Sequence, residues 1–157
     1  MNNHRRLRKL MRDLDIPVPF DVPTFTRRIA AQRGRPIHLM PIAGLTGVCG
    51  LWIATDAADI VFYEQETTPS HQEHIVLHEL SHVLCDHYPV SMNLAAQAEE
   101  LLPNLDPALV RRVLGRAGYS TGEEREAEML ATLIRQRVHT GITLADRLRT
   151  AFDGFHG

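Results

Sequence analysis

Cysteine is almost missing. The 157-residue chain contains two, Cys49 and Cys85, too few for the disulfide framework that staples small secreted domains. Aromatic residues are sparse as well, 6% with a single tryptophan, so the core is expected to be mainly aliphatic. No apolar run approaches the ~20 residues needed to cross a bilayer, and the charged opening His4-Arg5-Arg6-Leu7-Arg8-Lys9 has no apolar segment behind it of the kind an export signal requires. These absences together lead us to expect a reduced, cytoplasmic protein with no membrane contact. A strong charge bias is lacking too: the net charge is −2, which argues against a general grip on nucleic acid. The one basic patch, residues 4–12, has the ordinary reading of a solvated helix face, and direct nucleic-acid binding is not expected. With 44% hydrophobic and 23% charged residues, the length suits one core. We therefore expect a single domain over residues 1–157, with 1–15 a basic N-terminal helix.

Histidine, by contrast, is plentiful, with nine in the chain. Two of them form the pentapeptide His78-Glu79-Leu80-Ser81-His82, inside the apolar run Ile75-Val76-Leu77 and Val83-Leu84. On a helix, residues at i and i+4 project from one face a turn apart, the separation at which two imidazoles can share one zinc ion. Glu79 would then point at the open position of the metal and take a proton from bound water. The context is that of a well-started helix: Ser70-His71-Gln72-Glu73 has the form of a capping box, and Pro69 breaks the chain just before it. This predicts a helix from His71 to about His87, stopping before Pro89.

A catalytic zinc usually takes three protein ligands and keeps a fourth position for water or substrate. No histidine continuation follows His82, so the third ligand is sought on a second helix. The stretch from Ser120 to Ala131 contains Glu123, Glu124, Glu126 and Glu128, and Ser120 or Thr121 can cap a helix running to about Val138. Glu124, Glu128 and Ala131 share one face, with Ala127 beside them, and the alanines would admit a close neighbour. Glu124 is the expected ligand, with Glu128 orienting a ligating imidazole through its other N–H. Glu126, nearly opposite on a face that is also apolar, is the alternative. Glu123 and Glu124 would otherwise be acids favoured by a helix start, or capping partners of Ser120 and Thr121. Cys85, three residues after His82, is an available extra ligand, although such a cysteine more often only packs.

Elsewhere the pattern predicts a helix from Asn3 to Leu14, another from Thr24 to Gln32 between Pro23 and Gly34, and strands at Pro36–Ile42, Val48–Ala54 and Asp59–Tyr63. The simplest arrangement is an antiparallel meander, with Asp59–Tyr63 at a sheet edge over the metal, free to pair with an extended substrate. Shorter helices are expected at Val90–Leu101 and Pro107–Arg116, and a last one at Leu144–Ala151. The expected class is thus α+β: a small three-stranded antiparallel sheet packed with the HExxH helix and further helices, in a zincin-like manner.

His78-Glu79-Leu80-Ser81-His82 and Glu124-Arg125-Glu126-Ala127-Glu128-Met129-Leu130-Ala131, in this order after a short basic region and a small β-region, resemble the ImmA/IrrE family of zinc metallopeptidases over residues 20–140. Two details differ from that pattern: Glu128 stands where Asn or Asp is usual, and Leu133-Ile134-Arg135-Gln136 replaces a hydrophobic L-L-M-P ending. The resemblance implies zinc ligands at His78 and His82, a catalytic Glu79 and a glutamate ligand on the second helix. It also implies an intracellular protease that cleaves helix-turn-helix transcriptional repressors. In the corresponding chemistry zinc activates water, Glu79 passes its proton to the leaving amine, and a further donor stabilises the oxyanion. Tyr63, Tyr88, Tyr119, His87 and His139 are residue types suited to that last role, and spacing does not choose among them. Manganese or iron could use the same ligands. The alternatives are a regulatory protein that sequesters a repressor or toxin without cutting it, and a purely structural zinc site involving Cys85.

Overall fold

The computed structural model describes residues 2–43, 50–54, 57–87 and 119–153, and of the side chains after Thr140 only that of Leu148. Helix α1 (Asn3–Asp13) begins at Asn2, whose side chain accepts the His4 N–H, and it buries Leu7 and Met11 one turn apart. Helix α2 (Val22–Arg33) is capped by Asp21, which accepts from the Thr24 N–H, and carries Pro23 in its first turn. Gly34 ends it at φ 68°, a left-handed conformation that glycine adopts without steric cost. The Asp21 cap is why the helix starts earlier than Thr24.

Three strands follow, β1 (Ile37–Ile42), β2 (Gly50–Ala54) and β3 (Asp59–Glu64), and their order in the sheet is β1-β3-β2. β1 runs parallel to β3 while β2 runs antiparallel to it. The expected meander is therefore wrong, and so is the edge position expected of β3. Residues Asp59 to Phe62 are all buried, whereas β1 is buried only at Ile42 and carries Pro41, which lacks a ladder N–H, as an edge strand can. With β1 and β2 on its two sides, β3 has no free backbone edge to offer a substrate.

Helix α3 (Pro69–Leu84) contains the HExxH pentapeptide. Its cap is Thr68, which accepts from the His71 N–H, two residues before the expected Ser70. Pro69 thereby occupies a first-turn position, where a missing N–H breaks nothing. The helix closes at Leu84, short of His87, because Asp86 turns the chain at φ 58°. Helix α4 (Thr121–Asp153) is a single helix of 33 residues, not the two expected up to Val138 and from Leu144. Gly141 costs the helix only ~1 kcal/mol relative to alanine, and no proline interrupts the segment. The helices expected at Val90–Leu101 and Pro107–Arg116 lie outside the described residues.

All four helices and the sheet feed one core. Leu7 and Met11 meet Phe25 and Ile29, Trp52 and Val61, Val76, Leu77, Leu80 and Val83, and Leu130, Ala131 and Ile134. The α4 members recur at i, i+3, i+4 and i+7 from Ala127. Trp52 is fully buried and donates its indole N–H to Asp59 Oδ1 at 3.0 Å. Asp59 in turn lies within ion-pair distance of Arg33 and Arg35. Among the described residues the class is α+β, with four helices and a mixed sheet, and no helix is long and apolar enough to cross a membrane.

Candidate metal centre

Helices α3 and α4 approach closely because Ala127 and Ala131 face the contact and are fully buried. Across that contact His78 and His82, a turn apart on α3, bring their Nε2 atoms to 3.2 Å from each other. Glu124 spans both, with Oε2 3.2 Å from His78 Nε2 and Oε1 3.2 Å from His82 Nε2. Tetrahedral zinc with nitrogen and oxygen ligands at about 2.0–2.1 Å sets neighbouring ligand atoms roughly 3.3 Å apart. The three side chains selected from sequence are thus brought together at the spacing such an ion requires. His82 is wholly buried and Glu124 half exposed, so the cluster opens on the glutamate side.

The partners of the outer ring nitrogens decide where the protons sit. Glu128 Oε2 lies 2.9 Å from His78 Nδ1, and the other oxygen, Oε1, lies 3.3 Å from His74 Nε2. Arg135 donates to His74 Nδ1 at 3.0 Å, so His74 carries its proton on Nε2 and gives it to Glu128. Glu128 lies on His78 Nδ1 as well, which turns Nε2 towards Glu124 and His82. On the other side His82 Nδ1 is 3.0 Å from His87 Nδ1, and His87 Nε2 is 2.9 Å from Glu126 Oε1. Glu126 is paired with Arg6 at 3.2 Å and can only accept. His87 therefore donates from Nε2, and its Nδ1 shares a hydrogen bond with His82 Nδ1 that holds the His82 ring with Nε2 towards His78 and Glu124. Burial, then His78 and His87, push the His82 pKa down to about 3.

The two imidazole Nε2 atoms and the Glu124 carboxylate thus meet at 3.2 Å, an arrangement that a shared cation would hold. The donor set fits zinc, with Glu128 and His87 in the position of groups that hold ligating imidazoles in orientation.

Glu79 projects beside the same cluster, its ligand atom within 4.8 Å of those of His78 and His82, and is 4% exposed. Burial first, then the charge of Glu124, raises its pKa to about 8, against the opposing pull of Tyr119 and the Trp52 backbone amide. A carboxyl poised near neutrality suits proton transfer in both directions. Gly50 makes room for it: a Cβ at that position would stand 3.1 Å from Glu79 Cγ.

Of the five residues considered for a donor role, the structure brings Tyr119 to the site. Its ring stacks on His82, with centroids 3.5 Å apart and planes 8° from parallel, and its hydroxyl donates to Glu79 Oε2 at 3.4 Å. Burial, reinforced by Glu79, keeps that phenol protonated by raising its pKa. His87 is committed to His82, Tyr63 packs against the core and Tyr88 lies outside the described residues. His139 lines a separate groove with Glu73 and His74.

Glu126, the alternative third ligand, points away from the imidazole pair towards His87 and Arg6, and Cys85 joins it there. Ser120 and Glu123 form the capping box, each accepting from the other's backbone N–H at 3.1 and 3.0 Å. Sequence reasoning missed Arg6, His74 and the role of His87. The only signals were an arginine within a basic run and histidines spaced four before His78 and five after His82. No family model, curated protein or solved structure matches this chain.

Proposed function

We propose that the chain is an intracellular zinc endopeptidase of the ImmA/IrrE type, with a zincin-like helix pair, that cleaves a helix-turn-helix repressor. His78, His82 and Glu124 hold the ion in this reading, and Glu79 is the catalytic residue. The observation that carries it is the set of two imidazole nitrogens and a carboxylate 3.2 Å apart beside a buried carboxyl. A bound zinc would lower the pKa of water and polarise a peptide carbonyl. Glu79 accepts the water proton and returns it to the leaving amine, a role for which its raised pKa is matched. Tyr119 lies where its hydroxyl can turn from Glu79 to a developing oxyanion. The sheet edge beside Glu79 is β2, not β3, among the described residues, and it is the edge along which an extended peptide would pair.

The test is to incubate zinc-loaded protein with the repressor encoded beside it and read the products by mass spectrometry. Glu79→Gln should keep its zinc while cleavage falls by about 10²–10⁴-fold. Cleavage by that variant at the wild-type rate would remove Glu79 from the chemistry, and an intact partner in a stable complex would favour the sequestering protein instead.

A further inference from the structure

We propose that Cys85, His87 and Glu126 form a second cation site, for a thiophilic divalent ion of the zinc class, and that its occupation opposes occupation of the first centre. The site itself stands on these three residues alone, and only the opposition rests on the reading of His82 as a ligand.

The three side chains offer sulfur, nitrogen and oxygen, a mixture that suits zinc-like ions. Their exposures are 1%, 6% and 7%, and their ligand atoms lie within 4.8 Å of one another. Cys85 belongs to the edge of the apolar core, and its sulfur stands where that core meets the polar pair His87 and Glu126. The turn that gathers the group is tightly specified. Asp86 adopts φ 58° and pairs with Arg33 at 3.1 Å, while Cys85 and His87 donate backbone N–H groups to Ser81 and His82 at 3.0 Å. Arg6, from α1, binds the Cys85 carbonyl and pairs with Glu126 Oε1, the oxygen that also meets His87 Nε2, and at 41% exposure it can swing to solvent as an ion takes its place there. Binding would release the thiol proton to solvent. Thiolate and carboxylate would then balance the two charges of the ion.

The opposition follows from counting protons on the pair of imidazoles whose Nδ1 atoms are 3.0 Å apart. One proton lies between them. With an ion at the first centre that proton belongs to His82, and His87 keeps its other proton on Nε2 against Glu126. An ion on His87 Nε2 displaces that second proton and requires the bridging one on His87. His82 must then carry its own proton on Nε2, where it faces His78 and Glu124 and cannot bind metal. Each ion thus demands the opposite direction of the same hydrogen bond.

Cobalt(II) titration of the full chain tests this, because thiolate ligation gives a sulfur-to-metal charge-transfer band in the near ultraviolet that imidazoles and carboxylates do not. Excess cobalt should bring in the band in wild type and not in Cys85→Ser, with Cys85→Ala as a second variant should the first fold poorly by circular dichroism. Glu124→Ala, which weakens the first centre, should develop the band at about tenfold lower cobalt. Absence of the band from both wild type and Glu124→Ala, or its survival in both Cys85 variants, would overturn the site. A band with the same midpoint in wild type and Glu124→Ala would overturn the opposition. None of these readings depends on proteolysis, so a failure of the peptidase proposal would remain separately visible.

Discussion

Gly50→Ala probes how closely the sheet and the α3 helix are fitted around Glu79. A Cβ at Gly50 would stand 2.6 Å from Ile75 Cγ2, 3.1 Å from Glu79 Cγ and 3.1 Å from the Phe62 carbonyl oxygen. Carbon atoms pack comfortably at about 3.5–4.0 Å, so Ile75 must retreat by roughly 1 Å. The Phe62 oxygen belongs to the central strand and has little freedom to follow. Gly50 has no positive φ, so the cost is steric and not conformational. Overpacking of this kind costs about 1–3 kcal/mol. A loss of ~2 kcal/mol should lower the melting temperature by ~4–8 °C at this chain length. Because Ile75 and Glu79 share a face of α3, the displacement should also move the Glu79 carboxyl and reduce cleavage further than the change in stability explains. Ile75→Ala removes the offending methyl; alone it should cost ~2–5 kcal/mol as a cavity. Combined with Gly50→Ala, its cost should fall short of the sum by about 1 kcal/mol or more, measured by urea unfolding. Unchanged melting of Gly50→Ala, or fully additive costs in the double variant, would refute the close-approach argument.

Glu124→Ala should purify with much less zinc than wild type; equal metal content by elemental analysis would transfer the third contact to another acid. Asp59→Ala should lower stability by about 2–3 kcal/mol in urea unfolding, because it strands the buried Trp52 indole N–H and leaves Arg33 and Arg35 facing each other. A loss under ~0.5 kcal/mol would mean the indole finds another acceptor. Asp21 has its pKa lowered by hydrogen bonds from the Thr24 hydroxyl and backbone N–H. A depressed carboxyl stabilises fully above its ordinary pKa of 3.8 and progressively less as pH falls towards the folded-state value. Asp21→Asn should therefore narrow its stability deficit as the solution is acidified through that window, and a deficit independent of pH would remove the charge from the cap.

The elements that could be read from sequence were those whose information is local. Pro23 and Gly34 mark α2 to within two residues of its ends, and Ser120 with Glu123 starts α4, because such signals act within one turn. That Glu124 meets His78 and His82 while Glu126 turns away was equally accessible, since it depends on helical rotation. Strand order was not. It depends on long-range pairing, and β2 and β3 carry four buried residues in a row each, so local burial does not tell the central strand from the edge one. Thr68 displaced Ser70 as the cap because a proline between them is welcome at the first helical position, a competition that the capping-box pattern does not register. The proton chain through His87 was hidden for a different reason. It joins Arg6, His82, Glu126 and His87 from three parts of the chain, and an arginine in a basic run looks like any solvated one.

The acids of α4 meet the imidazole pair from both ends, with Tyr119 stacked on His82 between them. Successive helical residues rotate by about 100°, so Glu124 and Glu128 stand above one another while Glu126 falls on the other side of the contact. Glu124 meets both Nε2 atoms, Glu128 holds His78 from behind, and Glu126 holds His82 through His87. Three carboxylates at alternate positions therefore grip two imidazoles at both ends. A one-residue slip of α4 against α3 would undo every one of these contacts together. Ala127 and Ala131, buried at the same interface, set the separation at which all of them are made. Enlarging either should disturb the ion-binding geometry as surely as removing a ligand, although neither touches the site. The candidate metal centre thus resides in the packing of two helices as much as in the motif on one of them.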